Sequence, residues 1–231
     1  MHDARARDVI RSMREMAEPE RLEGMARFGI DTRTALGVTV TELRRLARGL
    51  GRDHALATEL WASGIHEARI LASIVDDPDA VTERQMESWV REFGSWDLCD
   101  QVCMNLFDRS PYAFDKALEW SAREPEFEKR AGFALMASAA VHRKDRPDRD
   151  FHPFLTRIRA EATDERTYVK KAVSWALRQI GKRSAGLHAR AIATAHRIGA
   201  IDARSARWIA RDVLRELESP GVRQRLARAF R

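Results

Sequence analysis

Phe127-Glu128-Lys129-Arg130-Ala131 recurs 41 residues later as Tyr168-Val169-Lys170-Lys171-Ala172, and each copy leads into a run of small and apolar residues. Outward from the second copy, Val169, Ala172, Val173, Ala176 and Ile180 follow at three- and four-residue spacing, which predicts a helix with one buried stripe. A fainter copy begins at His66-Glu67-Ala68-Arg69. A period of this length belongs to paired helices that cannot bury their apolar faces alone and must stack on their neighbours. Chance likeness between two amphipathic helices is the competing reading.

The rest of the chain reads the same way. No stretch alternates convincingly as a strand, and the twelve glycines and seven prolines of the 231 residues mostly fall between helical segments. Thr82, Asp164 and Ser205 read as helix starts, and Pro111, Pro125, Pro153 and Pro220 sit near the first turns of other helices. Roughly a dozen helices with short loops are expected. The segment from Lys144 to Pro153, dense in Arg and Asp, reads as an exposed loop. The expected architecture is all-α: a single domain spanning 1–231, built of HEAT-like helical repeats stacked into a curved solenoid, whose inner surface takes an extended partner.

Composition narrows the partner. Hydrophobic residues at 44% and charged residues at 33% indicate a folded chain with a heavily charged exterior. A net charge of +6 favours nucleic acid or an anionic surface, although an arginine-rich coding bias gives the same figure. Cys99 and Cys103 stand one helical turn apart; they suit reduced core thiols better than a strained disulfide, and two ligands make no zinc site. Met1 to Glu15 has no continuous apolar run, so neither a signal peptide nor a membrane span is expected, and a cytoplasmic, reducing location follows. The histidines are scattered without metal-ligand spacing, and neither a Ser/His/Asp order nor a glycine-rich phosphate loop is present, so no metal or cofactor is expected. Trp61, Trp89, Trp120 and Trp208 lie in apolar patterns and read as core.

Two clusters remain. Lys171, Trp175, Arg178 and Lys182 follow one another at four, three and four residues, aligning three cations and an indole beside the buried stripe. Such a face suits phosphates, with the flat ring lying against a sugar or base; a solvated charged face with Trp175 tucked into the next repeat is the plainer reading. In Ser95-Trp96-Asp97-Leu98-Cys99-Asp100, Trp96 and Asp100 stand one turn apart on the same side and could hold a cationic centre. A carboxylate among cations stays ionised, which suits it to stabilise positive charge or orient water rather than to act as a general acid. Packing plus a salt bridge is the bland alternative. Asp97 is expected to face the first helical turn, where its charge opposes the helix dipole.

Taken together, Met25-Ala26-Arg27-Phe28, Ser95-Trp96-Asp97 through Asp100, Arg130-Ala131, and Lys171-Ala172-Val173-Ser174-Trp175-Ala176-Leu177-Arg178 resemble the AlkD family of bacterial alkylpurine DNA glycosylases over nearly the whole chain. The resemblance implies that Asp100 is the catalytic carboxylate, that Trp96 and Trp175 contact DNA, and that Arg130 is the cleft arginine. Phe28 stands where the family has a Tyr, and Ser138 where it has a Lys; Arg178 matches by local alignment only. The implied reaction is hydrolysis of the N-glycosidic bond of cationic alkylated purines, such as 3-methyladenine and 7-methylguanine, in double-stranded DNA, with the damaged base left in the stack rather than extruded. The expected partner is thus duplex DNA containing alkylated purines, with no membrane and no obligate protein partner. Two other readings stay open: a non-enzymatic relative that recognises damaged or branched duplexes, suggested by the Phe28 and Ser138 departures, and a protein-interaction scaffold whose cations are scattered over outer surfaces.

Overall fold

The computed structural model describes residues 2–229, in which every regular element is helical. Fourteen α-helices follow in order among these residues: α1 (His2–Glu15), α2 (Glu20–Arg27), α3 (Val40–Leu50), α4 (His54–Ala62), α5 (His66–Val75), α6 (Glu83–Val90), α7 (Trp96–Asn105), α8 (Ala113–Trp120), α9 (Glu126–His142), α10 (His152–Ala160), α11 (Thr167–Gly181), α12 (Ala185–Gly199), α13 (Arg204–Leu217) and α14 (Pro220–Ala229). Of the Met1–Glu15 stretch, α1 occupies all but Met1, which lies outside the described residues. No helix of the described residues is long and apolar enough to cross a membrane.

Local chemistry sets most of the boundaries. Thr39 and Glu42 form a reciprocal capping box on α3, while Asp53, Thr82 and Ser184 accept backbone N–H groups at the starts of α4, α6 and α12. Pro125 stands at the N-cap of α9, and Pro153 falls in the first turn of α10, where its missing N–H costs nothing. Two expected starts are displaced. Asp164 accepts from the Arg166 amide at 3.0 Å while Arg166 donates to the Glu124 carbonyl at 2.5 Å, so the chain turns first and α11 begins at Thr167. Ser205 is drawn inward to donate to the Ala162 carbonyl at 2.9 Å, and Ala203 stands at the N-cap of α13.

Contacts cluster into two compact units that divide at the Ser110–Pro111 bond. In the first, α5 packs on α3, α4 and α7, and α1 on α4. The rings of Trp61 and Trp89 stack 3.9 Å apart and nearly parallel, which fixes α4 against α6. Cys99 and Cys103 are buried, unbridged thiols, as their spacing predicts. Burial pushes the Cys103 thiol up, with Cys99, Asp100 and Asp108 adding to the shift, so it stays protonated and unreactive.

In the second unit, α9, α11 and α13 form one row, and α8, α10 and α12 form a second row behind it. The 41-residue echo is realised here: α9 and α11 lie side by side, with Phe127 and Tyr168 5.6 Å apart at equivalent positions. Gly132 permits the close approach of α9 to α8, since a methyl group there would fall 2.3 Å from the Ser121 amide nitrogen. The segment after α9 is largely exposed, as its polarity suggests, but it is pinned at one point. A short 3₁₀ turn over Asp148–Phe151 buries Phe151 against Phe114 and Phe154, and the Arg183 guanidinium lies over its ring while bonding the carbonyls of Ala140, Arg143 and Arg146.

Three of the four tryptophans expected in the core are there: Trp61 and Trp89 are 4% exposed and Trp120 is fully buried. Trp208 is the exception at 36% exposed. On α13 the buried stripe is carried by Ala206, Ile209, Ala210, Val213 and Leu217, which leaves position 208 on the opposite, open side.

Candidate nucleic-acid interface

Each unit presents its own group of site residues. In the first, Trp96 opens α7 and Asp100 follows one turn later; both are half-buried, because Leu98, Cys99, Val102 and Cys103 take the inward positions. The Trp96 indole N–H donates to the Phe28 carbonyl at 2.9 Å, which ties the loop after α2 to the start of α7 across 68 residues. The ring of Phe28 is 73% exposed. The fold therefore joins Phe28 to Trp96 and puts Asp100 on the same side of α7, with the indole plane fixed by its hydrogen bond.

Asp97 stands in the first turn of α7, as its position suggested, and makes a long-range pair as well. Its carboxylate reaches the His66 ring nitrogen at 2.8 Å and the Ser95 hydroxyl at 2.7 Å, linking the first turns of α5 and α7. Burial opposes charge on both partners, but their mutual attraction outweighs it. His66 is held above its ordinary value of 6.5 and Asp97 below its ordinary 3.8, the Ser95 bond adding to the latter. Nothing in the sequence signals this pair, whose members lie 31 residues apart.

In the second unit, Lys171 is exposed on α11 and Trp175, Arg178 and Lys182 are partly exposed. Two of these cations are already engaged. Arg178 and Lys182 both bond the Glu216 carboxylate of α13, Lys182 at 2.5 Å, and Arg178 also lies 3.4 Å from Asp212. Burial alone would raise the Glu216 carboxyl; hydrogen bonds from Lys182 and Arg178 prevail and hold it below the usual range. Arg130 is 6% exposed and donates to the Tyr168 carbonyl at 2.6 Å, so at least one arm of its guanidinium secures α9 to the first turn of α11. Ser138 is buried, with its hydroxyl bonded back to the Ala134 carbonyl at 2.9 Å, and supplies neither charge nor a side chain to the surface.

The open side of α13 carries what the sequence reading missed. Arg204, Trp208, Arg211 and Arg215 are exposed at four-, three- and four-residue steps, repeating in kind the pattern of cations and indole on α11. The Lys170 ammonium sits 5.7 Å from the Trp208 ring and bridges the two helices. The signal was present in the 208-centred spacing, but Trp208 fits an apolar periodicity equally well until the neighbouring helix is placed. Among the described residues, no group of three or more His, Cys, Asp or Glu is placed to hold a metal ion.

Comparison with known proteins agrees with this fold. No curated protein matches the sequence. A solved structure described as "a new family of proteins related to the HEAT-like repeat DNA glycosylases with affinity for branched DNA structures" is similar to 91% of this chain and 94% of its own, with a TM-score of 0.76 at 21% identity. The fold is thus one of HEAT-like helical repeats. The sequence model of the DNA alkylation repair enzymes matches residues 9–217, nearly the whole of the fourteen-helix array and both groups of site residues. The chain belongs to the DNA alkylation repair enzyme family.

Proposed function

We propose that the protein is a DNA N-glycosylase that hydrolyses the bond between deoxyribose and a cationic alkylated purine in duplex DNA. The observation that carries this reading is the placement of Asp100 and Trp96 on one side of α7, with the indole anchored to the Phe28 carbonyl. A purine alkylated on a ring nitrogen already carries positive charge. When the C1′–N bond breaks, its electron pair moves onto the ring and the base leaves neutral, so no general acid is needed. The barrier lies at the sugar, where oxocarbenium character develops. Asp100 stabilises that charge and orients the water that adds to C1′, whose proton then passes to solvent. The Trp96 ring face adds attraction to the cationic sugar. In the second unit, Lys171 and Trp175 contact the DNA backbone.

Incubation with methylated duplex DNA, followed by chromatography of released bases, tests the reading. The wild type should liberate 3-methyladenine and 7-methylguanine, Asp100→Asn should liberate neither, and Trp175→Ala should bind more weakly and excise more slowly. Salt-sensitive DNA binding with no released base from the wild type would refute catalysis.

That outcome is what a second reading expects, namely a non-enzymatic protein that binds branched or damaged duplexes. It is favoured by Ser138, which removes a cation from α9, and by Glu216, which occupies two others. The similar solved structure is described as having affinity for branched DNA.

A further inference from the structure

The second row of the second unit carries a cationic groove that the proposed chemistry does not use. It lies between α10 and α12, encloses about 600 Å³, and is flanked by Arg159 of α10 and by Arg190 and Arg197 of α12. All three arginines are exposed, and among the described residues none of them is bonded to a carboxylate. By contrast, Arg143, Arg166 and Arg178 are paired with Asp145, Asp164 and Glu216. A carboxylate at one end of the groove, Asp148 beside Gly186, is already held by the Ser184 hydroxyl and lies 3.5 Å from Arg183.

The floor identifies the occupant. Gly186, Ala189 and Ala193 leave a shallow trough along α12, and the long aliphatic side chain in its lining, Leu155, is buried, so the groove exposes little apolar surface to anchor a protein partner. What it offers is guanidinium groups, the exposed Thr156 hydroxyl and the His152 ring, the side-chain types that contact phosphates. Arg190 and Arg197 stand two helical turns apart, about 10 Å along the axis, far enough to engage separate phosphates. The α11–α13 face, with Lys171, Trp175 and Trp208, belongs to the first row, and this groove to the second.

We propose that the α10–α12 groove is a second DNA-backbone site, which holds a second duplex arm while the α11–α13 face engages the first. The proposal rests on the reading of this protein as a DNA-binding one. A single straight duplex engages only the first site, whereas a three- or four-way junction can occupy both. The groove therefore supplies preference for branched over linear DNA without any base contact.

The test compares full-length wild type with the Arg159→Ala/Arg190→Ala/Arg197→Ala variant, using fluorescence anisotropy on a linear duplex and on a four-way junction of equal arm length. All three side chains are exposed, so the variant should keep its melting temperature. The expected result is a junction affinity lower by on the order of tenfold or more, with a salt-dependence slope shallower by about 2.7, at roughly 0.9 per lost phosphate contact, and an unchanged linear affinity. Equal losses on both DNAs would overturn the second-site proposal by assigning the arginines to the primary duplex surface. No loss on either would overturn it as well. So would polyglutamate binding that vanishes in the variant while junction binding stays intact, which would assign the groove to an acidic protein. Failure of the wild type to bind even the linear duplex would instead refute the DNA-binding reading on which the proposal stands.

Discussion

Replacing Asp97 with Asn tests whether the start of α7, and with it the placement of Trp96 and Asp100, depends on the His66–Asp97 pair. The His66 side chain is 5% exposed and that of Asp97 16%, so water screens the pair weakly. Removing one partner of a buried ion pair costs about 3–5 kcal/mol. An Asn side chain keeps an acceptor toward His66 and Ser95, so the loss should be nearer the value of a charged hydrogen bond, about 2–3 kcal/mol. For a chain of this length each kcal/mol moves the melting temperature by about 2–4 °C, so a drop of about 4–12 °C is expected. The pH dependence is more specific. The raised His66 contributes stability in full below its ordinary 6.5 and loses it as pH climbs through the folded-state value; the lowered Asp97 contributes above its ordinary 3.8 and loses it as pH falls through its own. The pair is therefore worth most between those two ordinary values. Melting curves of wild type and Asp97→Asn should differ most near pH 5.5 and converge toward pH 9. A difference that is constant across that range, or no difference near pH 5.5, would refute the ion-pair account. Base release by Asp97→Asn at temperatures where it stays folded should far exceed that of Asp100→Asn.

Glu216→Gln removes the carboxylate that holds Arg178 and Lys182, so duplex affinity should rise several-fold at low salt and the salt slope should steepen by about 1–2; an unchanged slope would mean these cations do not face the backbone. Gly132→Ala forces a methyl group to within 2.3 Å of the Ser121 amide, and because the obstacle is backbone the expected cost is about 3 kcal/mol, seen as a fall of about 6–12 °C in thermal melting; a fall under about 2 °C would show that α8 and α9 can separate freely.

The repeat was legible because helix packing imposes a period that composition cannot hide. The 41-residue spacing of Phe127 and Tyr168 places equivalent rings on adjacent helices, and the buried stripe of α11 matches its apolar spacing residue for residue. Caps such as Thr82 act through neighbours three residues away and were equally readable. Ser205 misled because its hydroxyl answers to a carbonyl 43 residues back, and Asp164 because it closes a turn with Arg166, two residues on, before the helix begins. The segment after α9 is exposed as expected, but its anchoring could not be read, since Arg183 bonds carbonyls of that region from 37 to 43 residues away.

By itself the sequence determined what depends on near neighbours: helical periodicity, the repeat, the buried thiols, and the adjacency of Trp96 to Asp100 and of Trp175 to its cations. Tertiary structure alone decided which of those charges remain available. Glu216 meets Lys182 and Arg178 from 34 and 38 residues away, Asp97 is claimed by His66, and among the described residues Arg159, Arg190 and Arg197 are left without a carboxylate. The physical reason is one of range. Helix formation is settled within four residues, whereas a charge is neutralised by whatever opposite charge the fold brings within a few ångströms, at any distance along the chain.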